Sequence, residues 1–453
     1  MDQPVDIAIV GGGFTGTLLA ILLRARLPAG RRVLLFEPRS EPGRGPAYEE
    51  AGRWHVLNAP AGGMSALAGE PDHFARWLLP QPPDAFCPAE ARDKPVARRF
   101  VPRQLYGRYM LSLLGEAQRG TGAELTHVPW AVTAIRRGAE GLWHIEAGAM
   151  ACQAHACVLA LGNPPAAPVE GACQGLSELR DLPPDGAVLL LGSGLTMADH
   201  LLALRAQGHR GAVHVVSRHG WLPLPHSAAP PGTIWDLAEP PNPPTVRGLS
   251  RWLRREAARA RAEGWPWQAV MDAVRPRVQA LWQGLDMMER QRFLRHARTA
   301  WNLHRHRIAP EISTILREMV ESGQVTVHAA RLRGCTTTPD GRLRAMLRHR
   351  DGRREVLSVT RLLLCTGPAG GATGSGTRRR RNSSRRGWRG SIRWNWASIR
   401  RPAAPPSWTG TAGPYPASMP SAPVPRAASG KSPPWQRSGG KWPIWPKAWR
   451  QPP

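Results

Sequence analysis

Two stretches of the chain share one hydrophobic pattern: a short continuous apolar run, a Gly-rich turn, then apolar residues at helical spacing. Val5 to Val10 feeds Gly11-Gly12-Gly13-Phe14-Thr15-Gly16 and the face Thr17-Leu18-Leu19-Ala20-Ile21-Leu22-Leu23. Ala187 to Leu191 feeds Gly192-Ser193-Gly194-Leu195-Thr196-Met197-Ala198 and the helical run Asp199 to Leu204. Apolar, β-branched runs of this length predict buried parallel strands. Each unit is followed by a further strand, Arg32 to Phe36 and Ala212 to Val216. Helix-spaced apolar residues then run over Leu249–Ala262, Trp267–Leu285 and Glu289–Leu303, and a helix is predicted to start at Pro310-Glu311, since Pro suits a first turn. Val325-Thr326-Val327 and Arg361 to Cys365 read as strands. The fold class expected is α/β, with two Rossmann-like doubly wound dinucleotide-binding domains over 1–183 and 184–370 and a helical insertion in the second at about 230–320.

The glycines have physical roles between a strand and a helix. Gly11 permits the tight turn, Gly13 lets a pyrophosphate approach the backbone, and Gly16 lets the helix pack on the strand. The helix start at Phe14 and Thr15 offers free N–H groups to phosphate. Glu37 closes the next strand about 20 residues on, where a carboxylate accepts from ribose hydroxyls and repels a 2′-phosphate. That motif alone does not separate FAD from NAD. In the second unit Gly192, Gly194, Leu195 and Thr196 occupy the turn, with Ala198 in place of the third glycine. Its second strand ends in Ser217-Arg218, a pair suited to the 2′-phosphate of NADP, with a solvated loop arginine as the alternative. Two such units argue for FAD first and NADP (or NAD) second, and for hydride transfer between them.

Further strings carry a family resemblance: Gly43-Arg44-Gly45-Pro46-Ala47-Tyr48, Leu57-Asn58-Ala59-Pro60-Ala61-Gly62-Gly63-Met64-Ser65, Phe100 to Tyr109, Ala160-Leu161-Gly162-Asn163-Pro164-Pro165, Ser217 to Pro223, and Trp301 to Pro310. From about Asp6 to Pro368 the chain resembles the bacterial FAD/NAD(P)-binding proteins of the YdhS type, distant relatives of flavin-dependent monooxygenases. The resemblance implies a FAD domain interrupted by an NAD(P) domain, with Asn58, Met64, Ser65 and Arg103 near the flavin, and makes Thr366-Gly367-Pro368 the exit turn. It implies an NAD(P)H-dependent oxidoreductase acting on a small molecule, hydroxylation included, but no particular substrate. The F-x-G-x-x-x-H signature of flavin-containing and Baeyer–Villiger monooxygenases does not occur between the two folds, and no residue is assigned a catalytic acid or base role.

Composition alters the picture at one place. The 453 residues carry a net charge of +28, which taken alone suggests nucleic acid or an anionic membrane. The 83 residues from Gly371 to Pro453, however, hold 16 of the 61 Lys+Arg, 8 of the 19 Trp and 14 of the 46 Pro, with no Asp, Glu or Leu. Such a tail has no core-facing period and is expected to be disordered. Displacing the reading frame by one base turns each Trp codon into Leu, Val or Met. It also permits an amphipathic helix over 429–450, and the expectation is a frameshift between Pro368 and Arg378. The competing readings are a basic tail that binds nucleic acid by stacking, and a degenerate product with weak or no flavin binding.

The start Met1-Asp2-Gln3-Pro4 lacks signal-peptide features, and no stretch of about 18 uncharged apolar residues occurs, so a cytoplasmic, non-membrane protein is expected. Six Cys do not make a disulfide framework, and Cys152 and Cys157 read as ordinary buried thiols rather than a redox pair. No Cys or carboxylate stands at ligand spacing from His304 and His306, so no metal site is expected.

Overall fold

The computed structural model describes residues 3–49, 52, 54–82, 93–163, 166–227 and 234–367, all within one compact unit spanning Met1–Trp394. The expected tail, 371–453, lies outside the described residues, as does Pro368 of the exit turn.

The first sheet comprises β1 (Val5–Val10), β2 (Arg32–Phe36), β3 (Glu124–Val128), β4 (Val132–Arg137), β5 (Trp143–Ala147) and β6 (Met150–Leu159), in the order β3-β2-β1-β6-β5-β4. β3, β2, β1 and β6 run parallel, whereas β4 and β5 form an antiparallel meander that enters β6. Its helices are α1 (Phe14–Arg26), α2 (Gly45–Glu49), α3 (His73–Leu78) and α4 (Arg103–Arg119). α1 buries Gly16, Thr17, Ala20 and Ile21, the i, i+4 spacing of one helical face. α3 and α4 close an aromatic core of Phe74, Tyr106 and Tyr109.

The second sheet comprises β7 (Ala172–Cys173), β8 (Val188–Leu191), β9 (Val213–Ser217), β10 (Val325–Thr337), β11 (Leu343–His349), β12 (Arg354–Val359) and β13 (Arg361–Leu364), in the order β12-β11-β10-β9-β8-β13-β7. From β10 to β7 it is parallel, and β10 continues past Ala329 into an antiparallel meander with β11 and β12. α5 (Leu195–Ala206) follows β8, and α6 (Val246–Ala262), α7 (Trp267–Val274), α8 (Val278–Gly284), α9 (Met287–Arg292), α10 (Arg298–Arg305) and α11 (Pro310–Glu321) separate β9 from β10. α5 and α11 cover the sheet face presented by Val188, Leu190, Val213, Val215 and Val325.

Two of the helices expected in the insertion are divided. Pro276 sits in the 3-10 turn Arg275–Arg277 between α7 and α8, where its missing N–H and ring interrupt the ladder. A π turn, Phe293–Ala297, divides α9 from α10. The strand Ala172–Cys173 places the start of the second sheet ahead of residue 184.

The sheets differ at one edge. β13 lies between β8 and β7, but β5 pairs with β6 only as far as Ala154. From His155 to Leu159, β6 has β1 on one side and no strand on the other among the described residues. Leu159 and Leu161 are 42% and 50% exposed there.

The insertion has its own core, centred on Trp252, which is 1% exposed and donates its indole N–H to Ala238 O at 3.1 Å. Replacing Trp252 by Ala empties that core and is expected to cost about 3–5 kcal/mol in a chemical denaturation curve.

Candidate functional site

The two Gly-rich turns are built alike. Gly11 N–H donates to Phe36 O at 2.9 Å and Ala160 N–H to Val10 O at 2.8 Å; Gly192 N–H donates to Val216 O and Cys365 N–H to Leu191 O, both at 2.8 Å. Gly11 and Gly192 have φ of 101° and 116°, and a Cβ on either would lie 2.4 Å from the carbonyl oxygen of Ala160 or Cys365. A Cβ at Gly16 would fall 1.8 Å from Gly11 O, so helix and turn touch through backbone alone.

Gly13 and Gly194 are different, because space lies in front of them. The nearest atom to a Cβ at Gly13 is Gly45 Cα at 3.9 Å, and none lies within 4 Å at Gly194. They are the N-caps of α1 and α5, with no side-chain cap and no acid in either first turn. Thr15 and Thr196 are exposed beside them. Unpartnered N–H groups at an open, glycine-lined helix start fit a pyrophosphate. The side chain of Phe14 turns inward against Tyr106 and Leu195 packs on the second core, so neither side chain faces the opening.

An acid follows the last residue of β2 and a base follows the last residue of β9. Glu37 is buried, accepting from Gly12 N–H at 2.9 Å through one oxygen and from Arg39 through the other. Ser217 accepts from Gly220 N–H at 3.0 Å, and Arg218 is exposed within reach of Thr299. His219 is stacked on Trp221, and its pKa is held below the ordinary value by burial and by Arg350, Arg218 and Arg331 around it. Arg350, which sequence order leaves remote, comes within 3.4 Å of His219 Nδ1, and Arg218 and Arg331 lie near enough to act on the same ring, so positive charge gathers at the end of β9.

The residues that the resemblance places near flavin divide into two groups. Met64 packs against the aromatic core, and Ser65 is tied into its own turn, 2.6 Å from Glu70 O and accepting from Leu67 N–H. Asn58 and Arg103 instead meet the second fold. Arg103 forms a two-toothed ion pair with Asp199 of α5 at 2.7 and 3.0 Å, while its Nε donates to Val56 O. His55 accepts from Gly52 N–H at Nδ1, so its proton sits on Nε2 and is donated to the Asp199 carbonyl at 2.9 Å. His226 lies 2.9 Å from Asn58 O, its pKa pushed down to about 4 by burial and by Arg307. All three guanidinium nitrogens of Arg103 thus take part in a brace between the two folds. Cys152 and Cys157 are free thiols on β6, both raised by burial, the latter to about 11, which suits packing and not redox exchange. Among the described residues no helix is long and apolar enough to cross a membrane.

Residues 8–164 match the family model described as FAD-NAD(P)-binding. No curated protein matches the chain in sequence. Among solved structures, the ornithine N-hydroxylase of Kutzneria sp. 744, a reduced FAD, NADP+ and L-ornithine complex, is 16% identical over 81% of each chain with a TM-score of 0.50. The FAD-bound cadaverine monooxygenase of desferrioxamine biosynthesis from Erwinia amylovora is 12% identical over 81% of this chain and 79% of its own, at 0.51. The ornithine hydroxylase of Pseudomonas aeruginosa is 14% identical over 81% and 83%, also at 0.51. At these identities the likeness is one of fold: mixed α/β, with two parallel-dominated sheets in a two-domain dinucleotide-binding arrangement.

Two outcomes test the brace. Arg103→Met strands Asp199 without its partner and is expected to cost about 2–3 kcal/mol, below the range for fully buried pairs because both side chains keep some contact with water; Arg103→Lys recovers only part, lacking the planar fork. Because the folded pKa of His226 is depressed from 6.5 to about 4, the unfolded chain binds the extra proton in that window and stability falls as pH drops through it. His226→Gln, which keeps a donor for Asn58 O, is expected to flatten that part of a stability-against-pH curve.

Proposed function

We propose that the chain is an FAD-dependent oxidoreductase that takes hydride from NADPH and acts on a small molecule. The observation that carries this reading is the pairing of two geometrically equivalent nucleotide turns with opposite charge at their strand ends, buried Glu37 in one and Arg218, Arg331 and Arg350 in the other. The open helix starts at Gly13 and Gly194 would receive the two pyrophosphates. Glu37 would accept from the ribose of FAD, and the basic cluster would receive a 2′-phosphate, which favours NADP over NAD. When bound, the nicotinamide supplies a hydride and the flavin accepts it. By the family resemblance the segment that carries Asn58, Met64 and Ser65 would lie on the flavin side, while Arg103 acts by bracing α5. The structural relatives named above are hydroxylases and monooxygenases of amines and amino acids, which supports hydroxylation as the reaction that follows.

The chain is further read as a member of the YdhS type whose coding frame slips between Pro368 and Arg378. What supports the slip is the sequence: the 83 residues from Gly371 hold no Asp, Glu or Leu, and the displaced frame turns each Trp codon into Leu, Val or Met and permits an amphipathic helix over 429–450. Resequencing that finds the written frame intact across this stretch would refute the slip.

Purified chain should show a flavin absorption spectrum that NADPH bleaches without oxygen, and a colourless, aggregating product would overturn the reading. Arg218→Ala and Arg350→Ala should each weaken NADPH about tenfold while leaving NADH unchanged, as measured by the rate of bleaching against nucleotide concentration.

A further inference from the structure

On the sheet face opposite α5 and α11, the outer strands of the second fold bring together side chains that sequence spacing keeps apart. His328 of β10, His349 at the end of β11 and Glu355 of β12 each offer one ligand atom, and the three atoms lie within 4.8 Å of one another. The alternation of each strand puts all three on the face of Leu189, Val216 and Leu347. His328 is buried, the His349 side chain is 9% exposed and that of Glu355 27% exposed.

The arrangement has the features of a metal centre. Glu355 Oε2 is 2.6 Å from His349 Nε2 and 3.7 Å from His328 Nδ1. The longer distance is outside hydrogen bonding and close to the spacing of about 3.3 Å that two ligands adopt around one tetrahedral zinc. The other ring nitrogen of His328 meets His214 Nδ1 at 3.1 Å. Such a contact on the far side of an imidazole fixes its tautomer and aims the free nitrogen, the common second layer of metal sites.

One group opposes a cation. Arg353, with a side chain 56% exposed, donates to Glu355 Oε2 at 3.2 Å and to His349 Nδ1 at 3.3 Å, so the His349 proton sits on Nε2 toward Glu355 and must be released for a metal to bind there. It supplies positive charge to the carboxylate from a side chain more than half exposed to solvent.

We propose that His328 Nδ1, His349 Nε2 and Glu355 bind a divalent transition-metal ion of the zinc class, leaving a fourth position for water and tying β10, β11 and β12 together. Two imidazoles and one carboxylate match the borderline donor preference of zinc and cobalt. This site is independent of the nucleotide turns and stands whether or not the chain binds flavin.

The test is titration of chelator-treated full-length chain with Co(II), read by visible ligand-field bands and by calorimetry, with Zn(II) as competitor. One cobalt per chain with tetrahedral-type bands that zinc abolishes is expected. His349→Ala and Glu355→Gln should weaken binding by about tenfold or more. Arg353→Gln should tighten it by removing the competing cation, a gain that loss of folding cannot imitate. Glu355→Gln is the partly exposed position, and its circular dichroism should match that of the parent. Absence of cobalt uptake, or uptake unchanged in all three variants, would overturn the assignment.

Discussion

Backbone touching backbone is the contact on which both halves of this protein depend. In each nucleotide turn the chain leaves a buried strand, reverses and starts a helix within a space that no Cβ can share. Gly11 meets Ala160 O, Gly16 meets Gly11 O, and Gly192 meets Cys365 O. Because the strand that returns after each meander supplies the opposing carbonyl, the turn is held by residues about 150 to 175 positions away. A bulky residue at the turn would separate helix from sheet and displace the N–H groups that the open glycines present.

The two halves share more than a motif. Each starts with a strand and a glycine turn, crosses to a second strand, runs through an antiparallel meander and returns beside its first strand. Chemistry enters where they diverge. A carboxylate sealed against Gly12 N–H at the end of β2 repels phosphate, and a set of guanidiniums around His219 at the end of β9 attracts it. The same scaffold thus presents two different electrostatic faces at the ends of corresponding strands.

Much of this was legible because it is local. The strands, the glycines, Glu37 and Ser217-Arg218 lie within a few dozen residues and obey fixed spacings. Pro276 was equally visible, yet a continuous apolar period obscured the break it imposes between α7 and α8. Other features depend on partners that no spacing reveals. Arg103 resembles a cofactor residue by its motif, but its guanidinium finds Asp199 only once α5 is docked. Arg331 and Arg350 join Arg218 through strand register, and His328, His349 and Glu355 sit on three strands whose period of two says only that they share a face.

The brace between the sheets has a bearing on how this fold can be reused. Asp199 lies one turn beyond Gly194, so a side chain of the first domain grips the helix whose tip forms the second nucleotide turn. His55 holds the same residue by its carbonyl, and His226 returns the contact to Asn58. The second fold is therefore not an interchangeable cassette. A graft that exchanges it for a relative's must bring an acid at 199 to meet the Arg103 that stays behind, or the incoming helix loses its ion pair.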